Sequence, residues 1–196
     1  MADLLKRSLA PISDAGWAEI DNLAKLRLSS HLSARSIADF DGPLGWDHSA
    51  VSTGRLITGG KKGAKGGVAW GVRQVLPLVE AKVSFEVDRQ ELESLLRGAK
   101  DADLDSLEDA ARTIATFEEN AVYLGLSDAD IKGIIPAASN KAIDLALDPT
   151  GYPKSVSAAL HALQLQGVNG PYTLVVGTKA HQALNQVAPS GYPLRQ

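Results

Sequence analysis

The side chains in this protein that could do chemistry are few, and none stands at a spacing that a known catalytic or metal site requires. The four histidines are His31, His48, His161 and His181. No two of them have the helical spacing of a zinc motif. Cysteine is absent, which excludes a disulfide framework, a thiolate metal site and a cysteine nucleophile. A Ser-His-Asp triad stays open because triads assemble from distant residues, although no G-x-S-x-G elbow exposes a serine.

The carboxylates offer no catalytic or calcium site either. Glu118 and Glu119 are adjacent on a predicted helix, so they do not face each other as a catalytic pair would, and we interpret both as solvated charges. The acidic run at 101–105 suggests a calcium loop, but its sixth and twelfth positions are Ser106 and Arg112 instead of glycine and a carboxylate. Acidic residues directly before a helix are better explained by the positive end of the helix dipole.

Glycine and lysine are concentrated at residues 59–67, a composition that also occurs in phosphate-binding loops. The spacing G-x-x-x-x-G-K-[ST] is absent, and no serine or threonine follows a lysine there to hold magnesium. We therefore interpret the segment as the tip of a β-hairpin. Together these residues give no positive argument for an enzyme.

The bulk composition narrows the classes of partner. With 196 residues, 44% of them hydrophobic and 22% charged, the chain is long and apolar enough for a globular fold with a core. A formal charge of -3 and a pI ≈ 5.8 argue against a nucleic-acid binder, which usually carries a basic face. No apolar stretch approaches the length of a transmembrane helix, so we expect no membrane partner.

The first residues do not predict a secretory signal. Lys6 and Arg7 are basic, but Pro11, Ser13 and Asp14 interrupt the sequence before an apolar region can form. We therefore expect a cytoplasmic protein.

The elements that would position these residues begin with an amphipathic helix. Ser13 is its predicted N-cap, and Ile12 and Trp17 occupy the two positions of a hydrophobic staple. The apolar side recurs with a helical period and comprises Trp17, Ile20, Ala24, Leu28 and Leu32. From the spacing alone, an ordinary helix packed on its own domain is favoured.

Strands and helices follow without a βαβ rhythm, which predicts the α+β class. Val51–Thr58 and Val68–Leu76 are the arms of a long hairpin, and Val79–Val87 alternates as a half-buried strand. The elements predicted after them are a short helix at 91–97, a long helix at 106–124, a helix at 155–166, a strand at 172–176 and a helix from 178 to about 187.

The long helix at 106–124 is the best candidate for the spine of the main domain. Ser106 and Asp109 have capping-box spacing at its start. Its apolar stripe comprises Leu107, Ala110 or Ala111, Ile114, Phe117, Ala121 and Leu124.

Several segments, taken in order along the sequence, resemble the encapsulins, bacterial and archaeal shell proteins once called linocin-like bacteriocins. They are Leu4–Ile12, Trp17–Asp21, Ala34–Trp46, Trp70–Leu78, Glu108–Glu119, Gly170–Leu174 and Gly191–Leu194. No single motif decides the match, which rests on order and spacing over essentially all residues. Because an encapsulin is the wall of a container, the resemblance implies a structural and not a catalytic role.

The resemblance implies the fold of tailed-phage major capsid proteins of the Hong Kong 97 type. On that pattern, residues 1–48 are an N-terminal arm and inner-wall helix, and 49–76 are an extended hairpin loop. Residues 77–132 are a peripheral domain with the spine helix, and 133–196 are an incomplete axial domain. A hairpin without an apolar core of its own would pack on a neighbouring subunit of a large icosahedral homo-oligomer.

Family members enclose a cargo enzyme, such as a peroxidase or a ferritin-like iron oxidase, whose C-terminal targeting peptide docks in an apolar groove on the inner wall. Carried onto this sequence, the groove residues are Leu28, Leu32, Arg35, Ile37 and Asp39. Leu28 and Leu32 are one helical turn apart and could accept apolar peptide side chains. Arg35 and Asp39 could orient the peptide ends. The alternative that both leucines are core residues stays open.

The resemblance also implies a pore at the five-fold axis, lined by Pro189, Ser190, Gly191 and Tyr192, although an ordinary turn would suit the same residues.

Some relatives bind a flavin against a tryptophan just after the alternating strand. Gln90 takes that position here, so we predict no flavin and no other cofactor.

Two rival functions and one departure from the family pattern follow. A prophage capsid protein that packages DNA would share the fold, but phage relatives usually lack the amphipathic N-terminal helix. A secreted proteolytic or bacteriocin-like activity is disfavoured by the absence of a signal and of a catalytic constellation.

Family members continue well beyond the segment that ends at Leu194. We therefore expect a truncated form or a second polypeptide that carries the remainder, and we favour the second polypeptide.

Overall fold

The computed structural model describes residues 5–58, 68, 70–146 and 148–185. Helices and antiparallel strands are mixed along the sequence, which confirms the α+β class. The protein divides into two compact units, one up to Ala137 and one from Ala138 onward. The first unit holds the buried core and the groove residues that the sequence predicts.

The first helix, α1, spans Asp14–His31 and begins where the sequence predicts. The Oγ of Ser13 accepts a hydrogen bond from the Gly16 N–H at 3.1 Å, which satisfies one of the free donors of the first turn. Ile12 and Trp17, the predicted staple, both pack against the core. The cap and these two side chains fix the direction in which the backbone enters α1.

Two further helices of the first unit follow the predicted positions within two residues. α2 spans Arg89–Leu96, and α3 spans Asp105–Tyr123. The Asp88 carboxylate caps α2 by accepting from the Gln90 N–H at 2.8 Å.

The capping box predicted at the start of α3 is wrong. Instead of capping the helix with Asp109, Ser106 donates its hydroxyl to the backbone carbonyl of Glu86. The helix begins one residue earlier, where the Asp103 carboxylate accepts from the Asp105 N–H at 3.1 Å. A contact with a distant segment has taken the side chain that local spacing assigned to the cap.

The core forms where α1, α2 and the start of α3 meet. Its buried members are Ile20, Leu92, Leu104 and Leu107. Farther along α3 the buried residues are Ala110, Ala111 and Ala115. The predicted apolar stripe is wrong at its far end, because Phe117 is 40% and Leu124 is 59% exposed. Alanine is small enough to be buried where two elements approach closely, whereas these larger residues lie on the uncovered side of α3.

The predicted hairpin is present. β1, Ala50–Thr58, pairs antiparallel with β2, Gly71–Pro77, with a shift in register between Ser52 and Leu56. Its apolar side chains, each at least 46% exposed, are Val51, Leu56, Ile57, Val72, Val75 and Leu76. Among the described residues neither face of the hairpin is buried, and a two-stranded hairpin of this kind is marginal in water.

Two predicted strands are unpaired. Within the described residues, neither Val79–Val87 nor Tyr172–Val176 belongs to a strand. In the first segment Val83 is 38%, Phe85 40% and Val79 41% exposed. Alternating residues define the two faces of a strand, but a strand forms only where a neighbour satisfies its N–H and C=O groups.

A tight turn between two short strands follows α3. β3, Gly125–Leu126, pairs with β4, Ile131–Lys132, and α4 follows at Ile134–Ala137. Gly125 has a φ of +95°, and a Cβ there would lie 2.7 Å from the Gly133 nitrogen. A Cβ at Gly133 would overlap backbone atoms at the end of α3. Both positions therefore require glycine.

The second unit contains α5, Tyr152–Leu165, and α6, Thr178–Leu184. Thr178 is the first residue of α6 and not its cap, which is Gly177, and the predicted end near Val187 lies outside the described residues. None of the described residues of this unit is buried. An apolar groove of about 490 Å³ lies along α5, and its lining includes Ile143, Leu145, Val156, Leu160, Leu163, Tyr172 and Leu174.

Candidate functional site

A groove of about 730 Å³ lies between α1 and α3. Its apolar lining comprises Ala24, Leu28, Leu32, Ile114 and Ala115. Ala24 and Leu28 lie four residues apart on α1, and Leu32, the residue directly after the helix, follows at the same interval, so the three form a single row. The two α3 residues lie across from that row. The groove can therefore accept apolar side chains of an occupant laid along α1.

Polar side chains border this apolar row. They are Asp21, Lys25, Ser29, Arg35, Ser36 and Glu118. The first three form a second row on α1, again at four-residue intervals. Arg35 and Ser36 come from the 3-10 turn at Ala34–Ser36, directly after α1. An occupant would meet hydrogen-bonding and charged groups on both sides of its apolar contacts.

The ion pair between Arg35 and Glu118 joins the turn after α1 to α3 at this groove. Nε of Arg35 donates to Oε1 of Glu118 at 2.6 Å, and Nη2 donates to Oε2 at 2.8 Å. This hydrogen bonding raises the pKa of Arg35 above its already high ordinary value. The guanidinium also lies 4.5 Å from the centroid of the Phe40 ring. Arg35 is therefore held in one orientation, with N–H groups left over for an occupant.

Glu119 fastens the same turn to α3. Its Oε1 accepts from the backbone N–H of Ala34 at 2.8 Å, and its Oε2 accepts from the Ser33 hydroxyl. The Ser33 hydroxyl also lies 3.0 Å from the Tyr123 hydroxyl. Because Ala34 is only 1% exposed, its N–H depends on this carboxylate. The interpretation of Glu118 and Glu119 as solvated charges is therefore wrong, since both bind groups on the neighbouring element.

Asp21, at the other end of the groove, is engaged by Arg7. The two side chains form two hydrogen bonds of 2.7 and 2.6 Å, and Arg7 also lies 4.7 Å from the centroid of the Trp17 ring. The hydrogen bond from Arg7 lowers the pKa of Asp21 from its ordinary value. Lys25 lies between these two ion pairs along the groove, one turn after Asp21.

Three of the five predicted groove residues line the groove together. Leu32 is 9% exposed and Leu28 is half-buried, so Leu32 is also a core residue, as the alternative interpretation held. Arg35 lies beside them. Ile37 and Asp39 are exposed and are not among the lining residues. Whether the groove binds a peptide stays a prediction.

The remaining predicted positions lie elsewhere. The pore residues Pro189, Ser190, Gly191 and Tyr192 are outside the described residues. Gln90 is an exposed residue in the first turn of α2, and its backbone N–H donates to the Asp88 carboxylate.

The sequence interpretation missed the α3 side of the groove. Ile114 was assigned to the apolar stripe, and the helical period could have predicted that Glu118, four residues later, shares its side of α3. The pairing of α3 with α1 was not available from any local pattern. Arg27 and Glu108 illustrate the same point, because they join the two helices at 2.6 Å across 81 positions of sequence.

Among the described residues, no group of three or more histidine, cysteine, aspartate or glutamate side chains could hold a metal ion. Over the same residues, no helix combines the length and apolar character needed to cross a membrane.

Comparisons with known proteins point to one family. Residues 2–196 match the family described as "encapsulating protein for peroxidase". The "Type 1 encapsulin shell protein" of Rhodospirillum rubrum is 44% identical over 201 residues, which cover 100% of this chain and 71% of the relative. The proteins of the same name from Rhodococcus erythropolis and Mycobacterium tuberculosis are each 38% identical over 192 residues, covering 98% of this chain and 72% of each relative.

Proposed function

We propose, on the premise that this chain belongs to the encapsulin family of shell proteins, that it is a self-assembling subunit of a closed nanocompartment that encloses a cargo enzyme. The single observation that carries this conclusion is the match over residues 2–196. The matched relatives are encapsulin shell proteins, which decides against the rival phage capsid that packages DNA. The mechanism is confinement: identical subunits tile a closed surface, and the surface determines what reaches the cargo.

The fold that we propose for the shell is the Hong Kong 97 capsid type, with the hairpin β1–β2 acting between subunits. The exposed apolar side chains of that hairpin support this role, because in an isolated subunit they would remain in water. Packing them on a neighbouring subunit would remove apolar surface from water at each of the repeated contacts. We place the assembled shell in the cytoplasm.

The cargo is proposed to dock through a C-terminal targeting peptide in the groove between α1 and α3, with a peroxidase or a ferritin-like enzyme as the cargo. The row of Ala24, Leu28 and Leu32 supports this, because it offers apolar contacts at regular spacing along α1 and at its C-terminal end. Arg35 supports it too, since the guanidinium keeps N–H donors beyond those bound to Glu118. The proposal for Ile37 and Asp39 is weaker, because neither side chain lines the groove.

Two further proposals come from the resemblance alone. Residues 189–192 line a pore that admits small solutes, and the shell binds no flavin because Gln90 replaces the stacking tryptophan.

Negative-stain electron microscopy of the purified protein tests the shell itself. Closed particles of uniform size are the expected result, because repeated identical contacts with closed symmetry stop at a fixed number of subunits. Small species or amorphous aggregate under native conditions would contradict the proposal.

Cargo docking is tested with two leucines on α1. Leu28→Asp puts a carboxylate into the apolar row, whereas Leu26→Asp puts the same group at a leucine that is 62% exposed and outside the groove. Particles of the native protein and of both variants are purified from the source cells, and the proteins that co-purify are identified by mass spectrometry. We expect the cargo to be lost with Leu28→Asp and kept with Leu26→Asp. Equal loss with both variants would place docking elsewhere.

A further inference from the structure

The loop after α5 contains the only Asn-Gly pair of the sequence, Asn169-Gly170. The last backbone hydrogen bonds at the C-terminal end of α5 lie just before this pair. The N–H of Gly167 donates to the carbonyl of Gln164 at 2.9 Å, and the N–H of Val168 donates to that of Leu163 at 3.1 Å. Both residues of the pair are exposed. In the described part of the protein, neither the Asn169 side chain nor the Gly170 N–H has a hydrogen-bond partner. The two groups that would have to react are therefore exposed to solvent and not held in other hydrogen bonds.

Glycine at this position has a structural reason, which comes from Tyr172. The Tyr172 hydroxyl donates to the carbonyl of Val168 at 2.7 Å and so folds its ring back over the loop. A Cβ at Gly170 would lie 3.3 Å from two ring atoms of Tyr172, tighter than an ordinary van der Waals contact. The same ring that holds the loop closed therefore favours glycine directly after Asn169.

We infer that Asn169 is a site of spontaneous deamidation. The Gly170 backbone nitrogen attacks the amide carbon of the Asn169 side chain and forms a bond to it. The bond from the same carbon to the amide nitrogen of Asn169 breaks, and that nitrogen takes up, through solvent, the proton that the Gly170 nitrogen loses and leaves as ammonia. Water then opens the cyclic imide at either of its two carbonyls and leaves an aspartate or an isoaspartate. Glycine promotes the first step because it has no side chain to block the approach and leaves the backbone free to turn.

The product changes the second unit in two ways. Every converted copy gains a negative charge in an exposed loop. An isoaspartate also routes the backbone through an extra methylene between positions 169 and 170, which alters the span from Val168 to Tyr172 that the hydroxyl contact bridges. Tyr172 lines the apolar groove along α5, so its displacement would change that groove.

Other asparagines of the sequence provide internal controls. Asn120 lies within α3, where the helix holds the following backbone N–H in a hydrogen bond. Asn140 precedes a lysine and has a buried side-chain oxygen. Asp41-Gly42 has the same glycine, but a carboxyl group is a poorer electrophile for this attack than the amide of Asn169.

The experiment is peptide mass spectrometry on the purified full-length protein after incubation for days at physiological temperature, at mildly acidic and mildly alkaline pH. Trypsin releases residues 155–179 with Asn169 as the single asparagine, and deamidation adds about 1 Da. We expect this peptide to convert about tenfold faster than the peptides with Asn120 and Asn140, and faster in alkali, because the attacking nitrogen must lose its proton. Fragment ions assign the gain to Asn169 and separate aspartate from isoaspartate.

Gly170→Ala and Asn169→Gln sharpen the test. The alanine obstructs the attack, and the glutamine requires a larger ring, so both should slow the gain in mass about tenfold. Conversion of Asn169 at the rate of Asn120 and Asn140 would overturn the inference, as would a rate that does not rise with pH. The comparison within the native protein stands even if the alanine variant does not fold.

Discussion

The helical core and the hairpin of the first unit are built from the same kinds of residue, yet only the core buries them. Leu107 in the core is 4% exposed, whereas Leu56 and Ile57 in the hairpin are 61% and 60% exposed. The core is completed by contacts within the chain. These include the hydrogen bonds that the Glu119 carboxylate, on α3, accepts from the turn after α1. The hairpin has β-structure and apolar side chains but no surface to place them on. Apolar content by itself therefore does not tell which region buries its side chains and which leaves them exposed.

Leu107→Ala tests the core and should have the largest effect on the subunit. The cavity and the lost burial should lower the free energy of unfolding by about 2–5 kcal/mol. The control is Leu56→Ala, which should change it by less than about 0.5 kcal/mol because that side chain is already in water. Urea unfolding of dissociated subunits, followed by far-UV circular dichroism, measures both. Similar losses for the two variants would break the contrast between the regions.

Ile57→Asp tests the hairpin, and its effect should appear only on assembly. If the side chain is buried against a neighbour in the shell, its loss weakens each contact by about 1.5–3 kcal/mol, while the subunit keeps its helix content. Sedimentation velocity gives the fraction of protein in closed particles. Ser52→Asp adds the same charge to the same strand without removing an apolar side chain and serves as the control. Normal assembly of the Ile57 variant would show that the exposed face needs no partner.

Glu119→Ala tests whether the turn after α1 belongs to the core. The buried N–H of Ala34 loses its acceptor, which should lower the free energy of unfolding by about 1–3 kcal/mol. The adjacent control, Glu118→Ala, removes the partly exposed pair with Arg35 and should cost less than about 1 kcal/mol. Thermal unfolding of both variants compares them. A larger cost at Glu118 would mean that the ion pair, and not the buried hydrogen bond, fixes the turn.

Asp21→Asn should have the smallest effect and the clearest pH dependence. Arg7 lowers the folded-state pKa of Asp21 below its ordinary value of 3.8, so the stabilisation is present at pH above that value and is lost as pH falls through the folded-state pKa. Because Arg7 and Asp21 are 37% and 51% exposed, the variant should lose less than about 1 kcal/mol at neutral pH. Unfolding at neutral and strongly acidic pH, with and without high salt, measures it. A difference that persists in acid or in salt would exclude this ion pair as its source.

The sequence predicted those features that are set by neighbouring residues. The Ser13 cap, the staple of Ile12 and Trp17 and the start of α1 follow from residues within one or two turns of each other. The hairpin followed from β-forming residues on both sides of the glycine-rich segment at 59–67. Local spacing failed at Ser106, whose partner is the carbonyl of Glu86, 20 positions away.

The candidate site could be predicted only on its α1 side. The helical period placed Leu28 and Leu32 on the apolar side of the helix, and the family resemblance assigned both of them and Arg35 to a groove. The partners of Ser33, Ala34 and Arg35 come from α3, 83–90 positions along the sequence. No single-sequence pattern encodes a contact at that distance, so the roles of Glu118 and Glu119 emerged only from the packed helices.

The two glycines at the base of the β3–β4 turn constrain the evolution of this protein. Gly125 and Gly133 each exclude a side chain because of fixed backbone and not because of a movable neighbour. A substitution at either position therefore cannot be rescued by a second substitution elsewhere, since no replacement of a side chain removes a backbone atom. In a library of random variants, we expect both positions to stay glycine among all members that retain the turn.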